Sequence, residues 1–353
     1  MNLSQKYRIQ TLDNIVGHTT VLKDLNKRVQ SKDFPQTIMF SGSSGTGKTT
    51  IARIISKHLL CENGNCCNTC KVCVAIDNEL PLPNYYEYNA SNLNIEAMRK
   101  IEEIACKSDP FSKSSVKVFY IDEMQELNKN KSAMKNILKI LEKPMKDTYF
   151  ILGTMDISKI DAAIKRRAVV YRLSSISSDD IFNYMSKILE KEGCKIESEE
   201  HANTVGAIAE SCNGSVGIVL PILDRFINSE IKTEEHLIAE LGIATSNTLI
   251  QIINSIFSGS VDIDITEDMV QPIILKLNLF IQHTLGKELN KWEKMQITGI
   301  RSNLSIENLI AVIQNFLSLY EYTYLNNTII NSHILKSVWI GKSNNRPQRQ
   351  MRG

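Results

Sequence analysis

A phosphate-binding loop is the feature that most constrains what this chain can fold into. Residues 41–50 read SGSSGTGKTT and fill every fixed position of the pattern G-x-x-x-x-G-K-[ST]. In this pattern glycines let backbone N–H groups close around phosphates, the lysine reaches the β- and γ-phosphates, and the final hydroxyl ligates Mg²⁺. The residues predicted to contact the nucleotide here are Gly42, Ser44, Gly45, Thr46, Gly47, Lys48, Thr49 and Thr50. The chain is therefore predicted to bind a nucleoside triphosphate with Mg²⁺.

The residues on both sides of the loop agree with this prediction. Residues 37–40 are typical of a short buried strand, and residues 50–60 of a helix with an apolar face. A strand, a loop and then a helix whose N-terminal dipole meets the phosphates is the arrangement that the motif requires. A chance glycine-rich turn is the alternative, and the flanking elements argue against it.

Two adjacent acids complete the predicted catalytic site. Residues 116–121 (VKVFYI) form a continuous apolar run, typical of a strand in a parallel sheet that is buried on both faces. Asp122 and Glu123 follow at the end of this run. Asp122 is expected to hold Mg²⁺ together with Thr49, and Glu123 to orient and deprotonate the attacking water. Glu123 and Lys48 are therefore predicted catalytic residues.

The order of strands and helices predicts an α/β fold followed by helical domains. Strands and helices alternate up to Leu173, which is the signature of a parallel sheet, and only helical patterns follow. The predicted parts are an α/β nucleotide-binding domain at 1–174 with an insertion at 61–73, a small helical lid at 175–240, an all-α domain at 241–340, and a disordered basic tail at 341–353.

Composition narrows the class of protein. No segment is long and apolar enough to span a membrane, and the first residues lack the apolar core of a signal peptide, so we expect a cytoplasmic protein with reduced cysteines and no membrane partner. The formal net charge of +2 is too small to indicate nucleic-acid binding by bulk electrostatics. Any contact with DNA must come from locally arranged Lys and Arg.

The insertion at 61–73 carries a candidate zinc site. Cys67, Cys70 and Cys73 repeat with C-x-x-C-x-x-C spacing, and Cys61 or Cys66 could complete a tetrahedral set of four thiolates. Cys61 is preferred, because Cys66 sits beside Cys67 and is harder to aim at the same ion.

Other interpretations of these cysteines are weaker. Disulfides are disfavoured in a reducing compartment, and an iron–sulfur cluster has the right ligands but no redox context. His58 is a more remote candidate for the fourth ligand. A structural Zn²⁺ that holds a protruding loop is therefore the prediction.

Basic residues on two predicted helices are candidates for contacts with DNA or with a neighbouring subunit. Arg99 lies on the polar face of one helix, and Lys139 on the polar face of another. A solvated surface is the ordinary interpretation of such residues. Arg167 ends the α/β region, where it could reach the nucleotide of a neighbouring subunit as an arginine finger, with a simple surface role as the alternative.

Taken in this order, the motifs resemble the AAA+ ATPases of DNA clamp loaders, and most closely the gamma/tau subunits of bacterial DNA polymerase III. The resemblance covers roughly residues 6–228, and beyond them only the helical character is similar. It rests on the phosphate loop, the cysteine insertion, Lys6-Tyr7-Arg8 with Val16-Gly17, residues 118–123, and residues 137–144 (ILKILEKP).

This resemblance implies an ATPase subunit of a ring, with a pentamer expected, that opens a sliding clamp and loads it on primer–template DNA beside a replicative polymerase. It implies that the all-α C-terminal domain is an oligomerisation collar. Tyr7, Arg8, Val16 and Gly17 would line the adenine pocket, and Arg99 would contact the DNA backbone. Lys139 is a second predicted DNA contact, from its place on a polar helix face alone.

The chain departs from the family at three positions, which suggests a divergent or phage version. It has Arg166-Arg167-Ala168 where the family usually has Ser-Arg-Cys. The polar sensor residue after the fourth strand falls on Met155, with Thr154 adjacent, and Gly217 stands where the second sensor arginine is expected. These changes bear on the rate and control of hydrolysis rather than on nucleotide binding.

Two other functions remain open from the sequence. Another AAA+ DNA remodeller, such as a Holliday-junction motor, would share the phosphate loop but normally lacks the cysteine insertion. A nucleotide-sensing subunit would bind ATP with little hydrolysis, which Gly217 favours and the acids Asp122 and Glu123 oppose.

Overall fold

The structure of the protein is a computed structural model. It describes residues 3–106, 116–142, 145–194, 196, 199–212, 214–228, 246–258, 265, 267–289, 294, 297–302, 304–321 and 336–337. The predicted tail at 341–353 lies outside the described residues.

Strands and helices alternate in the first half of the chain, and helices alone follow. The strands are β1 (Thr37–Ser41), β2 (Tyr85–Asn89), β3 (Lys117–Asp122), β4 (Thr148–Thr154) and β5 (Val169–Arg172). The helices are α1 (Leu3–Lys6), α2 (Thr19–Ser31), α3 (Lys48–Leu60), α4 (Lys71–Asp77), α5 (Ile95–Cys106), α6 (Lys131–Glu142), α7 (Ala162–Arg167), α8 (Ser178–Lys191), α9 (Glu199–Ser211), α10 (Val219–Asn228), α11 (Ser246–Ser258), α12 (Glu267–Thr284) and α13 (Ile306–Leu317).

The five strands found in the described residues form one parallel sheet in the order β2-β3-β4-β1-β5. Strand β1 lies between β4 and β5, with Ser41 opposite Thr154, and β4 separates β1 from β3. All carboxyl ends therefore meet at one edge. The phosphate loop after β1 and the acids at the end of β3 are thus brought to the same edge, which is where open α/β sheets bind ligands. The predicted α/β fold with a parallel sheet is confirmed.

Both faces of the sheet are covered, because successive side chains of a strand point to opposite faces. On one face Phe119, Ile121 and Phe150 pack with apolar residues of α5 and α6. On the other face Val118 and Tyr120 pack with apolar residues of α2 and α3. This two-sided burial explains the unbroken apolar run of β3.

The chain divides into two compact units. The first comprises Met1–Cys194 with Cys212–Arg225 and contains the sheet, and the second comprises Lys195–Ser211 with Phe226–Gly353. The boundaries predicted near residues 174, 240 and 340 stay predictions.

The second unit has its own helical core. Apolar residues of α11, α12 and α13 form it, including Ile253, Ile273 and Phe316. Helix α13 buries Leu309, Val312, Ile313 and Phe316 within this unit, although Ile310 and Leu317 are exposed. In the described part of the chain, no helix combines the length and apolarity that crossing a membrane requires.

Candidate functional site

The phosphate loop connects β1 to α3 and has a backbone that only glycine adopts without strain. Gly45 and Gly47 have φ angles of 74° and 95°, in the left-handed region. At Gly42 a Cβ atom would lie 2.5 Å from the carbonyl oxygen of Leu173. The glycines of the motif are therefore required by shape, and the N-terminus of α3 that follows them is suited to binding an anion.

The ammonium of Lys48 lies inside this loop. Its Nζ donates to the carbonyl oxygens of Gly42 and Ser43, at 2.7 and 2.9 Å. Burial lowers the pKa of Lys48, and the negative charges of Asp122 and Glu123 oppose that shift. The lysine is thus held by the loop, where a bound phosphate would meet its charge.

Thr49 and Asp122 bring together the two oxygens expected to hold Mg²⁺. The Thr49 hydroxyl donates to Asp122 Oδ2 at 3.2 Å and lies 3.1 Å from the Tyr120 hydroxyl. Hydroxyl and carboxylate oxygens are the ligand type that Mg²⁺ takes, usually with several waters and substrate phosphates. The residues present therefore fit the ion.

Glu123 follows directly and is held in place from both sides. Its backbone has a φ of 54°, and its N–H donates to Asp122 Oδ1 at 2.8 Å. The amide of Gln125 donates to the Glu123 carboxylate. A carboxylate fixed beside the magnesium ligands is suited to orienting a water.

Gln125 and Thr154 form a link that the sequence did not predict. The buried Thr154 hydroxyl donates to Gln125 Oε1 at 2.7 Å, and the Thr154 carbonyl accepts from Gly42 at 3.1 Å. Met155 is 48% exposed. The polar side chain at the end of β4, between the loop and the acids, is therefore Thr154 rather than Met155.

A cavity of about 350 Å³ opens beside the phosphate loop. Its lining includes every loop residue from Ser44 to Thr50, both acids, and Arg8 and Val16 from the N-terminal segment. Tyr7 and Gly17 instead line a neighbouring cavity of about 570 Å³, which Arg8 and Val16 also line. The four residues expected around adenine are thus divided between two adjoining cavities.

Three lining residues from beyond β5 belong to no sequence motif. They are Ile176, Tyr184 and Leu220. Val216 and Gly217 line the cavity as well, and their N–H groups donate to the Gly45 carbonyl at 3.1 and 3.4 Å. A Cβ at position 217 would lie 3.4 Å from the Gly45 Cα, so the position of the expected second sensor arginine does reach the phosphate loop.

The insertion brings four cysteine sulfurs together. The Sγ atoms of Cys61, Cys67, Cys70 and Cys73 all lie within 4.8 Å of one another, and Cys61 Sγ is 4.0 Å from Cys70 Sγ. Zn–S bonds of about 2.3 Å in a tetrahedron place the sulfurs roughly 3.8 Å apart. Backbone N–H groups of Cys67, Cys70 and Cys73 donate to the preceding sulfurs of the set at 3.3–3.5 Å, which favours thiolates. The four residues therefore fit Zn²⁺.

Cys66 points elsewhere. Its Sγ is buried and lies 3.7 Å from the Gln10 carbonyl and 3.5 Å from Asn68 Oδ1. Burial raises the pKa of Cys66 to about 11. Cys66 thus lies outside the group of four sulfurs, which Cys61 completes instead.

The remaining predicted residues lie on the surface, away from the cavity lining. Arg167 donates to the Ala163 carbonyl at 2.8 Å and pairs with Glu142. Lys139 pairs with Glu102 at 2.9 Å. Arg99 is exposed on α5.

The fold and the site together define a nucleotide-binding domain of the phosphate-loop class. Residues 17–177 match the family model described as "DNA polymerase III, delta subunit". The chain is 32% identical over 226 residues to the DNA polymerase III subunit gamma of Buchnera aphidicola subsp. Schizaphis graminum, covering 63% of this chain and 60% of that protein. It is 31% identical over 245 residues to the subunit tau of Bacillus subtilis, covering 67% of this chain and 42% of that protein.

A replication factor C small subunit from Methanococcus vannielii is also similar, with 31% identity over 195 residues and 55% of each chain covered. The resemblance to clamp-loader AAA+ ATPases is therefore confirmed. The chain spans about 60% of the length of the gamma subunits that it matches. Among solved structures, the Thermotoga maritima RuvB Holliday junction branch migration motor aligns with a TM-score of 0.48 at 14% identity, over 89% of this chain and 91% of that chain.

Proposed function

We propose that this chain is an ATPase subunit of a DNA clamp loader, which uses ATP binding and hydrolysis to open a sliding clamp and load it on primer–template DNA. The observation that carries the proposal is the meeting of Lys48, Thr49 and Asp122 at one edge of the sheet, in a domain similar to gamma and tau subunits. Other subunits of the loader, the clamp and a replicative polymerase are the proposed partners, and the cytoplasm is the proposed location.

Each polar residue of the site has a proposed role. Lys48 and the loop N–H groups bind the β- and γ-phosphates, and Thr49 with Asp122 holds Mg²⁺, which neutralises charge that develops on the transferred phosphoryl group. Glu123 orients the attacking water and accepts its proton. Positioning and electrostatic stabilisation supply most of the catalysis in this class of reaction.

The residues outside the cavity have proposed roles as well. Arg167 reaches the γ-phosphate of a neighbouring subunit, and Arg99 and Lys139 contact DNA phosphates. Zn²⁺ at the four cysteines has a structural role, because no open coordination position remains for a substrate.

The direct test is clamp loading by a complex rebuilt from this chain and its partner subunits. Clamp opening and closing on primed DNA are followed by fluorescence, with ATP hydrolysis measured in parallel. The wild type should load clamps in an ATP-dependent way, and Lys48→Ala should bind no ATP and load none. Loading at an unchanged rate by the Lys48→Ala complex would reject the proposal.

A second candidate function is a subunit that binds ATP and hydrolyses little of it. Gly217 favours it, because this position reaches the phosphate loop with no side chain to stabilise a transition state. Single-turnover hydrolysis in the assembled complex separates the two functions. A chemical step far slower than clamp loading would favour the binding role.

A further inference from the structure

Lys57 is a fully buried cation on the phosphate-loop helix α3. Its ammonium donates to the Gln10 carbonyl at 3.0 Å, to Asn68 Oδ1 at 2.8 Å and to Asp77 Oδ1 at 2.9 Å. An ammonium has three hydrogens to donate, so its capacity is used completely. A lysine is almost never buried in this way without such pairing.

The three partners of Lys57 belong to different parts of the first unit. Gln10 lies in the N-terminal segment, one residue after Ile9, which lines the cavity at the phosphate loop. Asn68 lies between two members of the cysteine cluster, Cys67 and Cys70. Asp77 is the last residue of α4. Lys57 thus ties the cysteine insertion and a wall of the nucleotide cavity to the helix that carries the phosphate loop.

A second set of contacts runs in parallel. Arg8, which lines the cavity, donates to the Asp77 carbonyl and pairs with Glu79 at 3.2 Å. Glu79 also pairs at 2.7 Å with Arg53 of α3. The N-terminal segment is therefore held at Gln10 by Lys57 of α3, and at Arg8 by Asp77 and Glu79 at and just after the end of α4.

Helix α4 connects these contacts to the cysteine cluster. Cys70 is the N-cap of α4, and its sulfur accepts from the N–H of Cys73 in the first turn. The cluster therefore fixes the start of α4, while Asp77 and Glu79 at its end hold the N-terminal segment. An ion that orders the four cysteines therefore also orders the N-terminal segment, whose residues Arg8 and Ile9 line the cavity.

Stability alone does not explain a buried ion pair at this place. Replacing such a pair by well-packed apolar residues is often neutral or stabilising, because two charges must be taken out of water to form it. The pair instead fixes the positions of the three segments that contain Gln10, Asn68 and Asp77 relative to α3. This favours a positioning role for Lys57.

We propose that Lys57 is a positioning residue that couples the cysteine cluster to the nucleotide cavity, so that Zn²⁺ at the cluster raises the affinity for Mg-ATP. Without the ion, the cysteine loop loses its fixed geometry, so Asn68 and Asp77 no longer hold the Lys57 ammonium against Gln10, and Glu79 no longer holds Arg8. Mg-ATP must then order that wall when it binds, which weakens its affinity. The inference rests on the proposed nucleotide and zinc sites, and it is independent of clamp loading.

Linkage makes the proposal testable from both directions. If Zn²⁺ raises the affinity for Mg-ATP by some factor, Mg-ATP must raise the affinity for Zn²⁺ by the same factor. We expect a factor of about 10, within the usual range for coupled sites. The factor is the ratio of two Kd values for a fluorescent ATP analogue with Mg²⁺, which are measured on the full chain without and with Zn²⁺. Release of Zn²⁺ to a colorimetric chelator, which needs no stripped protein, should be slower when Mg-ATP is present.

Two variants test the residue itself. Lys57→Met removes the cation, and the double variant Lys57→Met with Asp77→Asn removes both charges, so that no carboxylate is left unpaired. In both, the coupling factor should fall well below that of the wild type, to the part that the contacts of Arg8 carry, while one Zn²⁺ per chain is still bound. Arg28→Met is the matched control, because it breaks an ion pair with Asp24 on α2, away from the cluster. Its coupling should equal that of the wild type.

The outcomes separate this inference from the proposed function. If Lys57 has a purely structural role, its substitution will weaken the affinity for Mg-ATP equally with and without Zn²⁺. The coupling factor would then equal that of the wild type, which would overturn the assignment. Equal affinity for the nucleotide with and without Zn²⁺, together with zinc release that Mg-ATP does not slow, would overturn the coupling and leave the nucleotide site standing. Failure of the zinc-loaded wild type to bind Mg-ATP at all would overturn the proposed function too.

Discussion

Ser215 lies directly against Gly45 of the phosphate loop: a Cβ built at position 45 would stand 1.7 Å from Ser215 Oγ. The contact is reinforced by the N–H of Val216, which donates to the Gly45 carbonyl at 3.1 Å. The segment before α10 therefore fixes the shape of the loop from outside the motif.

Gly45→Ala should consequently damage nucleotide binding. The methyl group would meet Ser215, and φ at this position is 74°, so we expect ATP affinity to fall by about 10-fold or more. Gly193→Ala is the matched control, because its φ is 79° and no atom lies within 4 Å of the added Cβ. It should lower the free energy of unfolding by about 1 kcal/mol and leave affinity unchanged. Adding Ser215→Gly to Gly45→Ala should restore part of the affinity in equilibrium binding.

Glu123→Gln should retain ATP binding and lose hydrolysis. The amide keeps the shape of the side chain but cannot accept the proton of the attacking water. We expect the single-turnover rate to fall by about 10²-fold or more, with the Kd for ATP within about 3-fold of the wild type. Glu126→Gln, which removes a carboxylate paired with Lys129 in the same turn, is the control and should keep its rate. Hydrolysis at the wild-type rate by Glu123→Gln would reject the role of this residue.

Arg167 should act on the nucleotide of a neighbouring subunit only after it leaves Glu142 of its own chain. Arg167→Ala should keep ATP binding and folding but lose hydrolysis in the assembled complex, by a factor that reaches about 10³. Arg166→Ala removes an exposed neighbouring arginine and should have little effect.

Mixed assemblies test whether Arg167 acts in trans. Combining Lys48→Ala subunits with Arg167→Ala subunits should regenerate some complete interfaces and restore part of the activity. An arginine acting within its own chain gives no such rescue, so zero recovery in verified mixed assemblies would assign Arg167 to the surface pair with Glu142.

DNA binding by the isolated subunit should be weak, insensitive to sequence and steeply dependent on salt, because the candidate contacts are Lys and Arg to phosphates. Arg99→Ala should reduce the slope of log K against log salt by about 1. Lys139→Ala should have a similar or smaller effect, since Lys139 must first leave Glu102. Lys159→Ala, an exposed lysine paired with Asp156, serves as the control in the same titration. Discrimination between two duplexes of different sequence would contradict recognition led by phosphates.

The sequence predicted those parts of the site that depend on local spacing. The loop residues, the two acids after β3 and the three closely spaced cysteines each form a group within a short stretch of chain. Strands β1 and β3 lie within one residue of the apolar runs that predicted them. Each of these signals comes from a motif or a hydrophobic period that is contained within a short stretch.

The parts that the sequence missed depend on contacts between distant segments. The link between Thr154 and Gln125 arises because β4 lies between β1 and β3 in the sheet. Tyr184 and Leu220 line the cavity from helices without any motif. The segment before α10 has Gly214 at a φ of 77° and a 3₁₀ turn at Val216–Ile218, and its contact with Gly45 is not indicated by any local spacing.

The cavity at the phosphate loop also has a consequence for biosynthesis. Its lining runs from Ser4 to Leu220, whereas every described strand of the sheet ends by Arg172. At translation speeds of 5–20 residues per second, Leu220 is added roughly ten to forty seconds after Ser4. The complete cavity does not exist until the sheet's own residues have been made. At the same speeds Leu220 is added roughly two to ten seconds after Arg172, so every residue of the described sheet is made before the cavity can be completed.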